Sequence, residues 1–480
     1  MLSRMRAKVV KTAAMGALLV STAMPVWAET LAEALTSAYM NSGLLEQNRA
    51  TLRAADEDVA QAFAALRPVL SWQSDIQRTF GTSGGIVTDR SSAAFGQFRI
   101  GGSVSNSASF SLLAELVLYR GGRNKLGIDA AKEAVLATRA GLLAIEQQVL
   151  FDAASAFMEM RRATETVALR QNNVRVIRQE VRAARDRFDV GEVTRTDVAL
   201  AEARLAAAQS ALAAAEGSLV LAQEEYLATV GHKPGALQSP RSLPKLPASV
   251  DAAKAQAVRQ HPQMISAQHA VTAAEIGVLI AKGATKPTVS LSGGLNTQED
   301  FDSKSFSRGG SVTLRATGPI YSGGALNSAI RKSRAQRDEE RGRLHVVQAE
   351  VIQNVGNAYV QLGVARASRA SFESQVRAAT VAFRGVREEA ALGARTTLDV
   401  LDAEQELLDA RASLISAQVD EAIAAYAVLG ALGLLTADAL HLNVPKFDPA
   451  EYYNLVRKSP ASLSKQGREL DRVLKALGKD

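Results

Sequence analysis

Residues 391–402 read ALGARTTLDVLD, and a related stretch, DVGEVTRTDVAL, occupies residues 189–200. A glycine, a threonine and an aspartate recur at equivalent places in the two stretches, 202 residues apart. The same offset relates Tyr119, which is followed by Arg-Gly-Gly, to Tyr321, which is followed by Ser-Gly-Gly. Self-similarity at a fixed offset is the signature of a duplicated structural unit. The sequence therefore predicts two copies of one architecture.

The duplication divides the 480-residue chain into a signal segment, two repeats, a linker and a tail. We predict a signal peptide over 1–28, a first repeat over 29–231, a linker over 232–249, a second repeat over 250–435 and a C-terminal tail over 436–480. The linker is placed where prolines cluster, because proline interrupts regular structure. The tail from Lys446 onward carries mixed charge and is expected to lie outside the packed helices.

The N-terminal segment has the pattern of a secretory signal. Four basic residues before position 12 precede an apolar run over 13–23, and Val26-Trp27-Ala28 offers a cleavage site with small residues. A short N-terminal anchor helix is the alternative. Cleavage would remove those basic residues and lower the net charge from +7 to +3, which weakens the case for a nucleic-acid partner. The chain has no cysteine, so thiolate chemistry and lipid attachment are excluded.

Apolar residues recur every seven positions over long stretches without proline. One row is Leu136, Leu143, Leu150 and Phe157, and rows of leucine and alanine run through 399–430. Heptad rows indicate helices packed side by side. We predict long helices over about 122–188 and 323–391, each on the order of 100 Å. An ordinary two-stranded coiled coil is the alternative, and no later run of about 18 apolar residues without a charge predicts a transmembrane helix.

Four segments alternate polar and apolar residues with a period of two, at about 69–80, 100–118, 288–297 and 310–320. One apolar and one polar face are typical of outer-membrane barrel strands, although a soluble hairpin would look similar. The smallest barrels known have about eight strands, so one chain cannot close a barrel. Several chains must therefore share it, and three would supply about twelve strands. The fold class is mainly α with a β-barrel part, and each repeat reads helix, strand, strand, long helix, helix.

These motifs resemble the TolC family of outer-membrane efflux and secretion channels over roughly residues 30–435. The most specific is Leu392–Asp402, and the others are Arg67-Pro68, Tyr119–Gly122, Phe188–Gly191 with Thr196-Asp197, and Gly318–Gly324. The resemblance implies a homotrimer in the outer membrane, with a shared twelve-stranded barrel that continues into a helical tunnel in the periplasm. It also implies passive export of drugs or proteins, with a periplasmic adaptor, an inner-membrane transporter and outer-membrane lipid as partners. A periplasmic coiled-coil adaptor is the alternative function.

The resemblance also assigns a gate at the periplasmic end of the tunnel. Asp399 and Asp402 correspond to the acidic constriction, and Arg395 corresponds to a basic residue whose contacts near Thr196 and Asp197 hold the closed state. Where that lock often has a tyrosine, this chain has Ala390.

The residues also support a structural interpretation of these positions. Thr194 with Asp197 and Thr396 with Asp399 have the spacing of helix capping boxes. The counterpart of Asp402 in the first repeat is Leu200, and that of Arg395 is Val193, so the shared architecture does not require these two charges. A solvated position on the helix surface is the alternative for Asp402.

Catalytic chemistry finds no support in the sequence. Neither a nucleotide-binding loop nor a nucleophile elbow occurs in a strand-to-helix context. The five histidines show no ligand spacing, and His261 and His269 are expected at the surface. We expect no enzyme, no cofactor, no metal site and no nucleic-acid partner.

Overall fold

The computed structural model describes residues 28–240, 242–303, 305–445, 447–457 and 465–476. Residues 1–27 of the predicted signal peptide lie outside the described residues. The first repeat contains α1 (Leu31–Asn41), α2 (Gly43–Ala64), β1 (Val69–Ile86), β2 (Phe98–Arg120), α3 (Arg123–Asp189) and α4 (Arg195–Val230). The second contains α5 (Val250–Gln260), α6 (Pro262–Gly283), β3 (Thr288–Asp300), β4 (Phe306–Thr317), α7 (Ala325–Ala391) and α8 (Thr397–Ala431). Two short helices, α9 (Glu451–Val456) and α10 (Lys465–Ala476), follow.

The two long helices, α3 and α7, are the same length. Each contains 67 residues and is therefore about 100 Å long. Each begins directly after a glycine in the left-handed conformation, Gly122 with φ 78° and Gly324 with φ 82°. Each folds back onto the helix that follows it, so each repeat ends in a helical hairpin. The duplicated order predicted from sequence is confirmed, except that two helices rather than one precede the strands in each repeat.

The four strands form one antiparallel sheet in the order β1-β2-β3-β4. Pairing of β2 with β3, for example Leu112 opposite Leu295, joins the two repeats. β4 ends at Thr317 rather than near 320, because Gly318 and Pro319 follow and proline cannot donate to the ladder. The other three strands run further than the alternation predicts.

One face of this sheet leaves large apolar side chains in contact with solvent. Trp72 is 71% exposed, Ile76 is 85% exposed and Val312 is 82% exposed. The edges of the sheet, β1 and β4, are unpaired within the described chain. An exposed apolar face between two open edges is what a shared membrane barrel needs from one subunit.

The helices are held together by several apolar clusters rather than by one core. The largest joins α1, α2 and α3 to the ends of α4 and α8, with Phe157 and Tyr226 fully buried. A second lies between α5, α7 and α8. Alanines such as Ala201 and Ala410, both 0% exposed, line the hairpins. Their small side chains let the helix axes come close, so the high alanine content is used in helix packing.

Residues 447–457 of the C-terminal tail pack against the helices, so the prediction that the tail lies outside them is wrong for this segment. Phe447 and Tyr453 contact the largest core, and the guanidinium of Arg49 lies 5.0 Å from the Phe447 ring centroid. The Tyr452 hydroxyl donates to the Glu57 carboxylate at 2.7 Å. The aromatic residues Phe447, Tyr452 and Tyr453 hold this segment against the helices. Its mixed charge alone did not predict this packing.

Several of the helices are long and strongly apolar. Within the described residues, α3, α4, α6 and α8 each contain an 18-residue window that is long and apolar enough to cross a membrane, by length and composition only. Their mean hydropathy is 1.2 to 1.4, and the windows contain no more than two charges. In the fold these helices pack side by side, and half of the α8 window is buried there.

Candidate functional site: the tips of the helical hairpins

The two helical hairpins turn in the same way. The first turn separates Asp189, the end of α3, from Arg195, and the second separates Ala391, the end of α7, from Thr397. Each turn has a glycine in the left-handed region, Gly191 with φ 82° and Gly393 with φ 78°. Left-handed backbone directly after a helix strongly favours glycine, so the repeated glycine is a structural requirement.

The capping boxes predicted from sequence are present at both tips. The backbone N–H of Thr194 donates to Asp197 Oδ2 at 2.9 Å, and the N–H of Asp197 donates to Thr194 Oγ1 at 3.3 Å. Thr396 and Asp399 make the same two bonds at 2.9 and 3.2 Å. Hydrogen bonds from the threonine hold the pKa of each aspartate below its usual value. Both carboxylates therefore begin their helices as ionised caps.

Asp402 forms an ion pair that the sequence did not indicate. Arg204 Nη2 on α4 donates to Asp402 Oδ1 on α8 at 2.7 Å. Both side chains are substantially exposed, at 42% for Arg204 and 56% for Asp402. The bridge joins the second hairpin to the first within one chain, so Asp402 lies at a contact between hairpins.

Arg395 is paired within its own hairpin. Its Nε donates to Glu389 Oε2 at 2.9 Å, and this carboxylate raises the pKa of the guanidinium. Thr196 is exposed near the start of α4. Among the described residues of one chain, the structure does not bring Arg395 to Thr196 or Asp197. Ala390 is buried at 6% exposure.

A second contact missed from sequence lies two residues beyond Asp402. Glu404 on α8 is 6% exposed, and its Oε1 accepts a bond of 3.2 Å from the amide of Asn173 on α3, which is 5% exposed. Burial raises the pKa of Glu404 to about 7. The signal was available, because Val400, Glu404 and Leu407 share one helical stripe and a carboxylate among apolar residues is unusual there.

We call the contact surface between the two hairpins the seam. Leu401, 3% exposed, belongs to the same apolar cluster as residues of α3 and α4. Asp402 with Arg204 and Glu404 with Asn173 lie beside it, and Asp420 pairs with Arg162 further along α8. The seam therefore fastens the second hairpin to the first by an apolar contact, ion pairs and a buried hydrogen bond.

His261 and His269 make contacts that stabilise the fold. His261 is 8% exposed, contrary to the prediction, and its Nδ1 accepts from the N–H of Gln263 at 3.3 Å to cap α6. His269 Nδ1 lies 2.7 Å from Glu133 Oε2. The part of the chain that the structure describes contains no group of three or more side chains arranged to hold a metal ion.

Two repeats that each combine strands of a shared sheet with a hairpin of very long helices define a class, the outer-membrane channels with a helical tunnel. The chain belongs to the outer membrane efflux protein family, whose sequence model matches residues 34–232 and again residues 236–434. It is therefore an outer-membrane protein, and the adaptor alternative is not favoured.

Individual proteins agree with this assignment. The chain is 35% identical over 440 residues to the outer membrane efflux protein BepC of Brucella suis, covering 91% of this chain and 92% of that protein. It is 25% identical over 434 residues to the outer membrane protein TolC of Vibrio cholerae, covering 87% and 94%. The CmeC outer membrane channel of Campylobacter jejuni has the same fold, with a TM-score of 0.71 at 16% identity over 89% of each chain.

Proposed function

We propose that three copies of this protein form the exit duct of a tripartite efflux pump or a type I secretion system. Drugs or proteins pass outward through it without catalysis or a cofactor. A periplasmic adaptor and an inner-membrane transporter are its partners, lipid surrounds its barrel, and nucleic acid plays no part. Residues 1–28 direct export and are removed. Residues 29–231 and 250–435 form the repeats, with 232–249 joining them and 436–480 following.

The sheet is the observation that carries the proposal. A four-stranded sheet with unpaired edges and exposed apolar side chains cannot stand alone in lipid, because unpaired backbone groups are costly there. The same chain carries two helices of 67 residues, which lie outside such a barrel in the periplasm. Copies of the chain arranged around an axis would pair the free edge strands of neighbouring sheets. The long helices of these copies would then enclose a channel.

We place the gate of this duct at the hairpin tips. In a trimer, Asp399 and Asp402 from each copy would supply about six carboxylates around the axis, and acidic rings make constrictions cation-selective. Arg395 would contact Thr196 and Asp197 of a neighbouring copy and hold the tips together. The bridge between Arg204 and Asp402 supports this position for the gate, because it ties the second hairpin to the first at its tip.

Planar-bilayer recording tests the gate. We expect the purified trimer carrying Asp399→Ala with Asp402→Ala to conduct more than the wild type and to be less selective for cations, because both the acidic ring and the seam bridge are lost. The matched control is Asp186→Ala with Asp189→Ala. It removes two carboxylates, also three residues apart, from the tip of the first hairpin. Unchanged conductance and selectivity in the first variant would rule out the gate.

Membrane fractionation tests the duct itself. We expect the protein in the outer-membrane fraction, and we expect it to migrate on gels as a trimer that heating dissociates. A soluble monomer would favour the periplasmic adaptor instead.

A further inference from the structure

Glu404 is a carboxylate in a place where a charge is costly. It lies in the seam between α8 and α3 at 6% exposure, close to buried Leu401. Its Oε1 has one hydrogen bond, from Asn173, and its Oε2 is buried without a hydrogen-bond partner among the described residues. A buried ionised carboxylate needs several donors or a cation to offset its lost hydration. This environment therefore favours the neutral acid.

The first repeat has a glutamate at the position equivalent to Glu404, but there it is exposed. Glu202 is the counterpart of Glu404, and Arg185 is the counterpart of Arg387, both at the offset of 202 residues. Arg185 Nη2 lies 2.5 Å from Glu202 Oε1, and both side chains are about half exposed. In the second repeat, no ion pair within 4.0 Å joins Arg387 to Glu404 among the described residues, and the glutamate contacts Asn173 of the other hairpin instead.

The charged groups around Glu404 do not cancel its burial. Burial has the largest effect and raises the pKa of Glu404 to about 7. The hydrogen bond from Asn173 and the charge of Arg387 on α7 lower this pKa, and the charge of Glu180 on α3 raises it. On α4, the nearby cation Arg204 is already paired with Asp402. Glu404 thus changes charge near neutral pH, whereas the pKa of Asp399 is held below its usual value.

We propose that Glu404 is a protonation-dependent contact that holds the second hairpin against the first, so that the seam is closed when Glu404 is neutral and loosened when it is ionised. The proposal rests on the gate described above and gives it a regulator.

The direction of the pH effect follows from the raised pKa. A carboxyl group that binds its proton more tightly in the closed seam than in water stabilises the closed state below its ordinary pKa of about 4.3. That stabilisation is lost as the pH rises through about 7. Opening should therefore become easier from mildly acidic to mildly alkaline pH.

Conductance of the full-length mature trimer in planar bilayers, recorded between about pH 5 and 8, tests the proposal. We expect the ratio of open to closed wild-type channels to rise by up to about tenfold per pH unit between about pH 5 and 7 and to level off above that, since one proton per subunit is linked to opening. Glu404→Gln, which keeps the shape and hydrogen bond of the neutral acid, should stay at the low occupancy of acidic pH throughout. Glu202→Gln is the matched control and should keep the wild-type profile.

A second variant keeps the proposal testable if the Glu404→Gln protein does not assemble. Asn173→Leu removes the donor to Glu404, which disfavours the ionised form further, so the midpoint of the rise should move to higher pH. A wild type that conducts without pH dependence, or a Glu404→Gln trimer that keeps the wild-type rise, would overturn the proposal while leaving the duct intact. A wild type without any conductance would overturn the duct and the proposal together.

Discussion

The two hairpin tips have the same backbone conformation, but their second helices make different contacts. Both turns contain a left-handed glycine, and both second helices start with a threonine-aspartate capping box. The ion pair of Glu202, on α4, stays within the first hairpin. Its counterpart on α8, Glu404, reaches across to α3. The features that build the turn are duplicated, whereas the features that join the hairpins occur in one copy.

Three pairs of equivalent positions account for the different contacts of α4 and α8. Leu401 is 3% exposed, and its counterpart Ala199 is small and exposed. Asp402 pairs with Arg204, and its counterpart is Leu200, 39% exposed. The two glutamates compared above are the third pair. Because the backbone is common to both tips, each pair forms a built-in comparison in which one member lies in the seam and the other does not.

The largest effect is expected from Leu401→Ala, which gives this position the residue type found at Ala199. Truncating a buried leucine costs about 2–5 kcal/mol, and here the loss falls on the seam rather than on either hairpin. We expect hydrogen exchange of the first α8 turns to accelerate by at least about 30-fold, since roughly 1.4 kcal/mol corresponds to a factor of ten. Single-channel openings should become more frequent.

Leu200→Ala is the control for Leu401→Ala, because it makes the same chemical change near the start of α4. The Leu200 side chain is 39% exposed, so its truncation removes much less buried surface. Hydrogen exchange of the first α4 turns should therefore change by no more than a few-fold, as is usual for exposed positions. Equal effects at the two positions would show that the seam does not distinguish the hairpins.

The backbone of the site could be predicted from sequence, but its contacts could not. Gly191, Gly393 and the two capping boxes are local signals, because each acts within about four residues of itself. The ion pair between Arg204 and Asp402 joins helices that are distant in sequence. An arginine or an aspartate on a helix surface does not identify its partner on another helix. Glu404 is intermediate, since its place in an apolar stripe indicated burial but did not indicate its amide partner on α3.

The capping threonines should give an intermediate effect that is equal at the two tips. Replacing a capping threonine by alanine costs about 1 kcal/mol, and Thr194 and Thr396 make equivalent bonds. We expect Thr194→Ala and Thr396→Ala to increase fraying of the first turn of α4 and α8 by similar amounts, measured by hydrogen exchange. Thr396→Ala should increase conductance more than Thr194→Ala, because the seam residues Leu401 and Asp402 lie within the first two turns of α8, whereas Arg204 lies further from the start of α4. An equal increase in conductance from both variants would contradict the asymmetry.

The smallest effect on stability, and the sharpest comparison, comes from two exposed arginines. Arg204→Ala and Arg185→Ala each remove a surface ion pair, and such pairs contribute about 0–1 kcal/mol. Thermal dissociation of the trimer should therefore change little in either variant. Their conductance should differ, because Arg204 joins α4 to α8 across the seam, whereas Arg185 joins α3 to α4 within one hairpin. High salt should reduce the difference, since exposed charges are screened. If Arg185→Ala opened the channel as much as Arg204→Ala, the ion pairs would act through general tip stability, and the seam would lose its role as the contact that separates on opening.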